Sequence, residues 1–309
     1  MAVKLSTNLG PLKLDHPLIN ASGTFDVFEA GRILDRDMFA DYPFAAYVPK
    51  TVTLNPRTGN PPPRLYETAA GLLNSIGLAN KGIEAFIADD LPRLEKLPVP
   101  LIVSVAGEHK EDYGRCAGML EGRGEVAAIE LNISCPNIEL DGRALGSDPE
   151  STREAVSQAR KATSKFLIAK LTPNVTDIVE IASAAADGGA DCLSVINTIH
   201  GMALDPVTLK PALGHVTGGL SGPAIKPVAL RAVYLITRDL DVPVIGMGGA
   251  TTARDVMEFL ACGAAAVAIG TANFQDPLLA DSLKAELQNL MEQHGYTSVN
   301  GLIGVSHKD

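Results

Sequence analysis

The chain has 309 residues, 46% of them hydrophobic and 20% charged, enough to bury a sizeable core, and the length suits one α/β barrel with insertions. A formal net charge of −10 repels phosphate backbones and argues against a nucleic-acid partner. Four widely spaced cysteines, Cys116, Cys135, Cys192 and Cys262, form no CxxC pair, so reduced thiols are expected, with neither a disulfide framework nor a bound metal or iron–sulfur centre.

The opening MAVKLSTNLGPLKLDHP lacks a long apolar run after a basic flank and does not read as a secretory signal. Its alternation around Asn8-Leu9-Gly10 predicts a hairpin capping the floor of the fold. Aliphatic and β-branched runs at Leu18–Ser22 and Phe44–Lys50 predict the first two strands. The connection that follows carries NPRTGNPPPRLYE (Asn55–Glu67), whose Pro and Gly content predicts an irregular excursion, and then LLNSIGLANKG. Six further strand runs are Leu101–Gly107, Ala128–Ser134, Phe166–Leu171, Cys192–Asn197, Pro243–Gly249 and Ala264–Thr271. Helical patterns at Glu150–Thr163, Thr176–Gly189 and Ala253–Gly263 separate some of them, the last two ending on a glycine stop. Eight strands joined by helices predict the α/β class: a (β/α)₈ TIM barrel, one domain over residues 1–309, with an N-terminal β-hairpin and inserted loops at its C-terminal face. The longest apolar stretch, Cys262–Ile269, is too short to cross a bilayer, and a cytoplasmic, non-membrane protein is expected.

Barrel enzymes carry their chemistry at the C-terminal ends of the strands, and this chain places polar or glycine residues at most of those ends. They are Ser22-Gly23-Thr24, Lys50-Thr51, Asn132 with Cys135, Lys170, Asn197-Thr198, Gly248-Gly249 and Gly270-Thr271. An inward lysine either pairs with an acid or snorkels to solvent, whereas two converging on one mouth fit a ligand that compensates their charge. The glycine pairs are read either as tight turns or as bare backbone on which a phosphate sits. In LNISCPN, Pro136 ends regular structure and puts Cys135 on a loop among Asn132, Ser134 and Asn137, a setting for a working thiol. Cys192 and Cys262 lie in apolar runs and read as core. The loose match Gly122–Ala127 to a dinucleotide fingerprint precedes a strand instead of following one, so a redox enzyme of this sequence would carry a mononucleotide flavin.

In chain order, NASGTF, PKTVTLNPRTGNPPPR, LLNSIGLAN, ELNISCPN, AKLTPN, NTIHGM, GGLSGPAIKP, GMGG and GTANF, from Leu18 to Phe274, resemble the class 1 dihydroorotate dehydrogenases. GGLSGPAIKP together with Asn197-Thr198 is similar to the catalytic subunits of type 1B. The resemblance implies FMN held by Ser22, Lys50, Thr51, Asn132, Lys170, Ile196, Gly222, Gly248, Gly249, Gly270 and Thr271. It implies orotate or dihydroorotate held by Lys50, Asn74, Ser75, Ile76, Gly77, Leu78, Asn132, Asn197 and Thr198, amides whose donors and acceptors match a pyrimidine edge. It further implies that Cys135 takes a proton from C5 of dihydroorotate while C6 passes a hydride to flavin N5, with Lys170 stabilising the reduced ring and residues 138–147 acting as a lid. The pathway implied is de novo pyrimidine (UMP) biosynthesis. Electrons would leave a homodimeric core through a partner carrying FAD and a [2Fe-2S] cluster to NAD, with fumarate the other acceptor. Two alternatives remain at this point: a related flavin barrel acting on another dihydropyrimidine, and a non-redox phosphate-binding barrel, an aldolase or isomerase in which Lys170 forms a Schiff base. Three positions depart from the family pattern: Ser104 where an asparagine is usual, Asp26-Val27-Phe28 in place of a glycine-rich turn, and a lid made acidic by Glu139 and Asp141.

Overall fold

The structure, a computed structural model, describes residues 3–134, 139–140 and 143–308, with 139–140 and 143–144 described as backbone only. Strands β1 (Thr7–Leu9) and β2 (Leu12–Leu14) form the antiparallel hairpin, turning at Gly10 with φ +56°. Along the chain follow β3 (Leu18–Asn20), β4 (Val52–Thr53), β5 (Leu65–Thr68), β6 (Gly71–Asn74), β7 (Leu101–Ala106) and β8 (Val126–Asn132). Then come β9 (Glu139–Leu140), β10 (Arg143–Ala144), β11 (Phe166–Leu171), β12 (Cys192–Val195), β13 (Ile199–Gly201), β14 (Gly218–Ser221), β15 (Val244–Met247) and β16 (Ala266–Ile269).

Eight parallel strands run in the order β3-β16-β15-β12-β11-β8-β7-β4, so all their C-terminal ends open on one face. The expected second strand needs correction. Residues 44–50 form no ladder: the segment makes one parallel bridge at Tyr47 to Leu101, and the paired residues are Val52 and Thr53 beyond it. Pro49 removes a donor from the run, and a side chain takes over much of the pairing. Asn20 Nδ2 donates to Val48 O at 2.7 Å while its Oδ1 accepts from Val48 N at 2.9 Å, and Ala45 N donates to Leu18 O at 2.9 Å. These bonds join the 45–48 segment to β3 and close the sheet on itself.

Along each strand alternate residues face two apolar regions. Inside, Ile19, Ile102, Ala128, Ile168, Cys192, Ile245 and Ala266 pack with Leu9, Leu12 and Leu14 of the hairpin, which plug the floor. Outside, Leu131, Ala169, Leu193 and Val267 pack against the surrounding helices. Helix Pro149–Ala162 shows how the outer layer is specified: Asp148 caps it by accepting from Ser151 N, Pro149 opens it, and Thr152, Ala155, Val156 and Ala159 give the i, i+3, i+4, i+7 stripe it buries. The helix at Ala253–Ala261 starts on a Thr252/Asp255 capping box.

The long connection after β4 is more regular than its composition predicts. β5 and β6 pair with the β13–β14 hairpin that follows β12, giving a four-stranded antiparallel sheet in the order β13-β14-β6-β5 over the barrel mouth. The cross-chain pairing of β6 with β14 depends on segments nearly 150 residues apart, which no local pattern announces.

Candidate active site

A cavity of about 890 Å³ lies between the C-terminal ends of the strands and the four-stranded sheet, near the upper end of the range for small-molecule sites. Every sequence-derived cofactor and substrate position lines it. Ser22, Lys50, Thr51, Asn132, Lys170, Ile196, Gly222, Gly248, Gly249, Gly270 and Thr271 come from barrel strand ends and the β14 turn. Asn74, Ser75, Ile76, Gly77, Leu78, Asn197 and Thr198 come from the covering sheet and the end of β12. Cys135 lies outside the described residues, as do 138 and 141–142 of the expected lid; β9 and β10 within that lid pair antiparallel.

The polar lining is one connected network. Ser22 Oγ donates to Pro49 O at 2.8 Å and lies 3.0 Å from Thr51 Oγ1, which lies 2.9 Å from Ser104 Oγ. Asn132 Nδ2 reaches Thr51 Oγ1 at 3.5 Å. Ser134 Oγ has Asn132 Oδ1 and Lys170 O within reach of its one hydrogen, and accepts from Asn197 Nδ2 at 2.9 Å. Asn197 Oδ1 then accepts from Thr198 N at 2.8 Å. Because each amide and hydroxyl is held by a neighbour, the lining is oriented before any ligand arrives, which lowers the ordering cost of binding.

The two lysines differ. Lys170, 7% exposed at the end of β11, reaches the cavity floor, and none of the ion pairs among the described residues includes it. Lys50 is exposed at the rim and lies across Gly23: a Cβ there would sit 2.7 Å from its Cδ. The covering loop is equally fixed. Asn60 N donates to Ile76 O, Asn60 Nδ2 to Ser75 Oγ at 2.9 Å, and Ser75 N to Arg64 O at 2.8 Å, so the Pro-rich excursion braces residues 75–78.

At the other end of the cavity Gly222, Gly248 and Gly249 all have positive φ, and a Cβ on Gly249 would meet Gly222 O at 2.6 Å. Only glycine fits that crossing, and it leaves bare backbone facing the cavity. Thr271 Oγ1 donates to Ser221 Oγ nearby at 2.7 Å.

Sequence reasoning missed Asn60, Ser134, Asn174 and Ser221, all on the cavity. Asn174 follows the end of β11 and donates to Thr198 O at 3.0 Å, so the strand-end rule that found Lys170 would have found it. Asn60 belongs to the Pro-rich excursion and had no such signal. Ser104 stands behind Thr51 and does not line the cavity, so its departure from the family pattern is answered through Thr51. Asp26, the second departure, caps the helix Val27–Leu34 through Phe28 N and Glu29 N, and Phe28 packs under Arg93, its ring centroid 3.7 Å from the guanidinium.

The profile of the family described as "Dihydroorotate dehydrogenase" matches residues 4–291. The chain is 47% identical over its whole length, and over 99% of the relative, to a protein of Desulforudis audaxviator named "Dihydroorotate dehydrogenase B (NAD(+)), catalytic subunit". Relatives with the same name from Pelobacter propionicus, 47% identical over 98% of this chain and 99% of theirs, and from Geotalea uraniireducens, 46% identical over 97% of each, are similar to it along their lengths.

Proposed function

The chain belongs to the dihydroorotate dehydrogenase family, and from that premise we propose how the cavity works. The activity is oxidation of dihydroorotate to orotate in pyrimidine biosynthesis. The observation that carries the site reading is the convergence of Lys170, Asn132, Asn197, Thr51 and the glycine cluster on one connected cavity.

The chemistry of that lining fits FMN. A buried ammonium suits an electron-rich ring, oriented amides and hydroxyls suit its polar edge, and glycine backbone at the far end suits a phosphate. When bound, FMN supplies the two-electron acceptor that the side chains cannot. Ser22, Thr51, Asn132 and Lys170 would hold the ring, with Gly222, Gly248, Gly249, Gly270 and Thr271 along the phosphate end. Asn74, Asn132, Asn197 and Thr198 would orient the pyrimidine, and Lys50 at the rim would meet its carboxylate. Lys170 at the cavity floor would hold the electron-accepting ring and offset negative charge on it electrostatically. Cys135 is assigned the base that takes the proton from C5, on the sequence pattern of LNISCPN and the family resemblance, and the 138–147 segment would exclude water around it.

The relatives' names describe a catalytic subunit and NAD(+), which supports electron transfer from this chain through a separate subunit to NAD. We assign that partner FAD and a [2Fe-2S] cluster, and read the chain as one domain in a homodimeric, cytoplasmic core. No helix among the described residues is long and apolar enough to cross a membrane. Assaying the purified chain alone with NAD and then with fumarate tests the proposal. Turnover with neither acceptor alone, restored with NAD by the partner subunit, is expected; efficient direct turnover with fumarate would overturn the partner assignment.

A further inference from the structure

At and beneath the cavity floor lies a layer of polar side chains, two of which, Glu130 and Ser194, have no part in the reading above. Ser104, Glu130, Lys170 and Ser194 are each flanked along their strands by residues of the outer apolar cluster: Val103 and Val105, Ile129 and Leu131, Ala169 and Leu171, Leu193 and Val195. Strand alternation therefore turns all four inward. Lys170 reaches the cavity. Glu130 does not line it and is 2% exposed.

The carboxylate of Glu130 is half satisfied. Its Oε2 accepts from Ser194 Oγ at 2.9 Å, while Oε1 has no hydrogen-bond partner among the described residues. Ser194 is the in-register neighbour of Lys170 on one side of β11, and Glu130 is in register with Ile168 on the other. To reach Ser194, the Glu130 side chain must cross the inner face of β11 at the base of Lys170. Strand spacing and rise put the Glu130 and Lys170 Cα atoms about 8 Å apart.

A buried carboxylate with an open oxygen is unfavourable alone, and so is a buried ammonium. Other groups facing this layer do not neutralise either one: Asn132 and Ser104 are uncharged, and Lys50 is a cation at the rim.

We propose that Glu130 is the positioning residue for Lys170: tied down by Ser194, it sets a counter-charge beneath the lysine stem. The proposal deepens the flavin reading, and depends on it only for what the ammonium faces.

The test is a pH titration of Lys170 in the full chain, followed by the ¹³C shift of lysines labelled at Cε, with Lys170→Met assigning the resonance. Glu130→Gln lowers the Lys170 midpoint by about one pH unit, a tenfold change in its dissociation constant. A midpoint unchanged or raised in Glu130→Gln overturns the proposal. Should that variant fail to fold, Ser194→Ala decides by the same criterion, with a midpoint lower by about half a pH unit expected, about a threefold rise in the dissociation constant. The flavin absorbance of the same samples is read separately: its absence sinks the flavin reading and leaves the lysine result standing.

Discussion

Asn20→Ala tests how the barrel is closed, because one amide stands where a strand ladder is missing. The substitution removes the donor to Val48 O and the acceptor for Val48 N, both on a segment that is 2% exposed at Val48, and also the acceptor of Tyr42 Oη at 2.9 Å. Each buried backbone group left unpaired costs about 1–3 kcal/mol, and the Tyr42 hydroxyl deprived of its acceptor about 1 kcal/mol. The sum is about 4 kcal/mol, well above the effect of a typical point substitution. Urea unfolding followed by circular dichroism measures it, with Tyr42→Phe as the comparison that removes one bond and costs about 1 kcal/mol. The same seam sets Ser22 against Pro49 and Thr51, so flavin retention should fall with stability. An Asn20→Ala protein within 1 kcal/mol of the parent would refute side-chain closure.

Three further outcomes are expected. Cys116, its thiol pushed up to about 12 by burial and by Asp112, and Cys192 and Cys262, pushed up by burial, should resist alkylation at neutral pH. Labelling with mass spectrometry should then find one fast thiol, absent in Cys135→Ala, a variant that keeps its yellow colour and loses turnover. His16 is held down to about 4 by burial and by Lys284, against the opposing pull of Asp15. Its folded value lies below the ordinary 6.5, so its share of stability is complete above 6.5 and is lost as pH falls towards 4. Unfolding free energies across that window should drop by about 3 kcal/mol, and His16→Asn should flatten the slope. Gly249→Ala forces a side chain into a φ of +83° with Gly222 O 2.6 Å away, costing about 1–3 kcal/mol; fluorescence titration should show weaker FMN binding, and unchanged affinity would remove Gly249 from the phosphate end.

Strand runs were legible where local composition decides the outcome. FLIAKL is buried on both faces and forms β11 over the residues its apolar pattern marks, and the strand-end rule drew attention to Lys170, Asn132 and Asn197 without any structure. The 44–50 run reads equally well as a strand, yet its pairing passes to the side chain of Asn20, a tertiary substitution that periodicity does not register. The covering sheet was illegible for a related reason: β6 finds β14 across the chain, and the prolines near β5 disguise a hairpin as a loop. Glu130 was visible in IELNIS as a charge within an apolar strand, but its meaning depends on Ser194 and Lys170 on neighbouring strands, which only the register brings together.

The most direct measurement is anaerobic mixing of the purified chain with dihydroorotate while its visible absorbance is followed. A yellow protein whose flavin bleaches within the time of turnover, and whose Lys170→Met variant bleaches far more slowly, is the predicted result. A colourless protein, or a yellow one left unbleached by dihydroorotate, would contradict the assignment of the cavity.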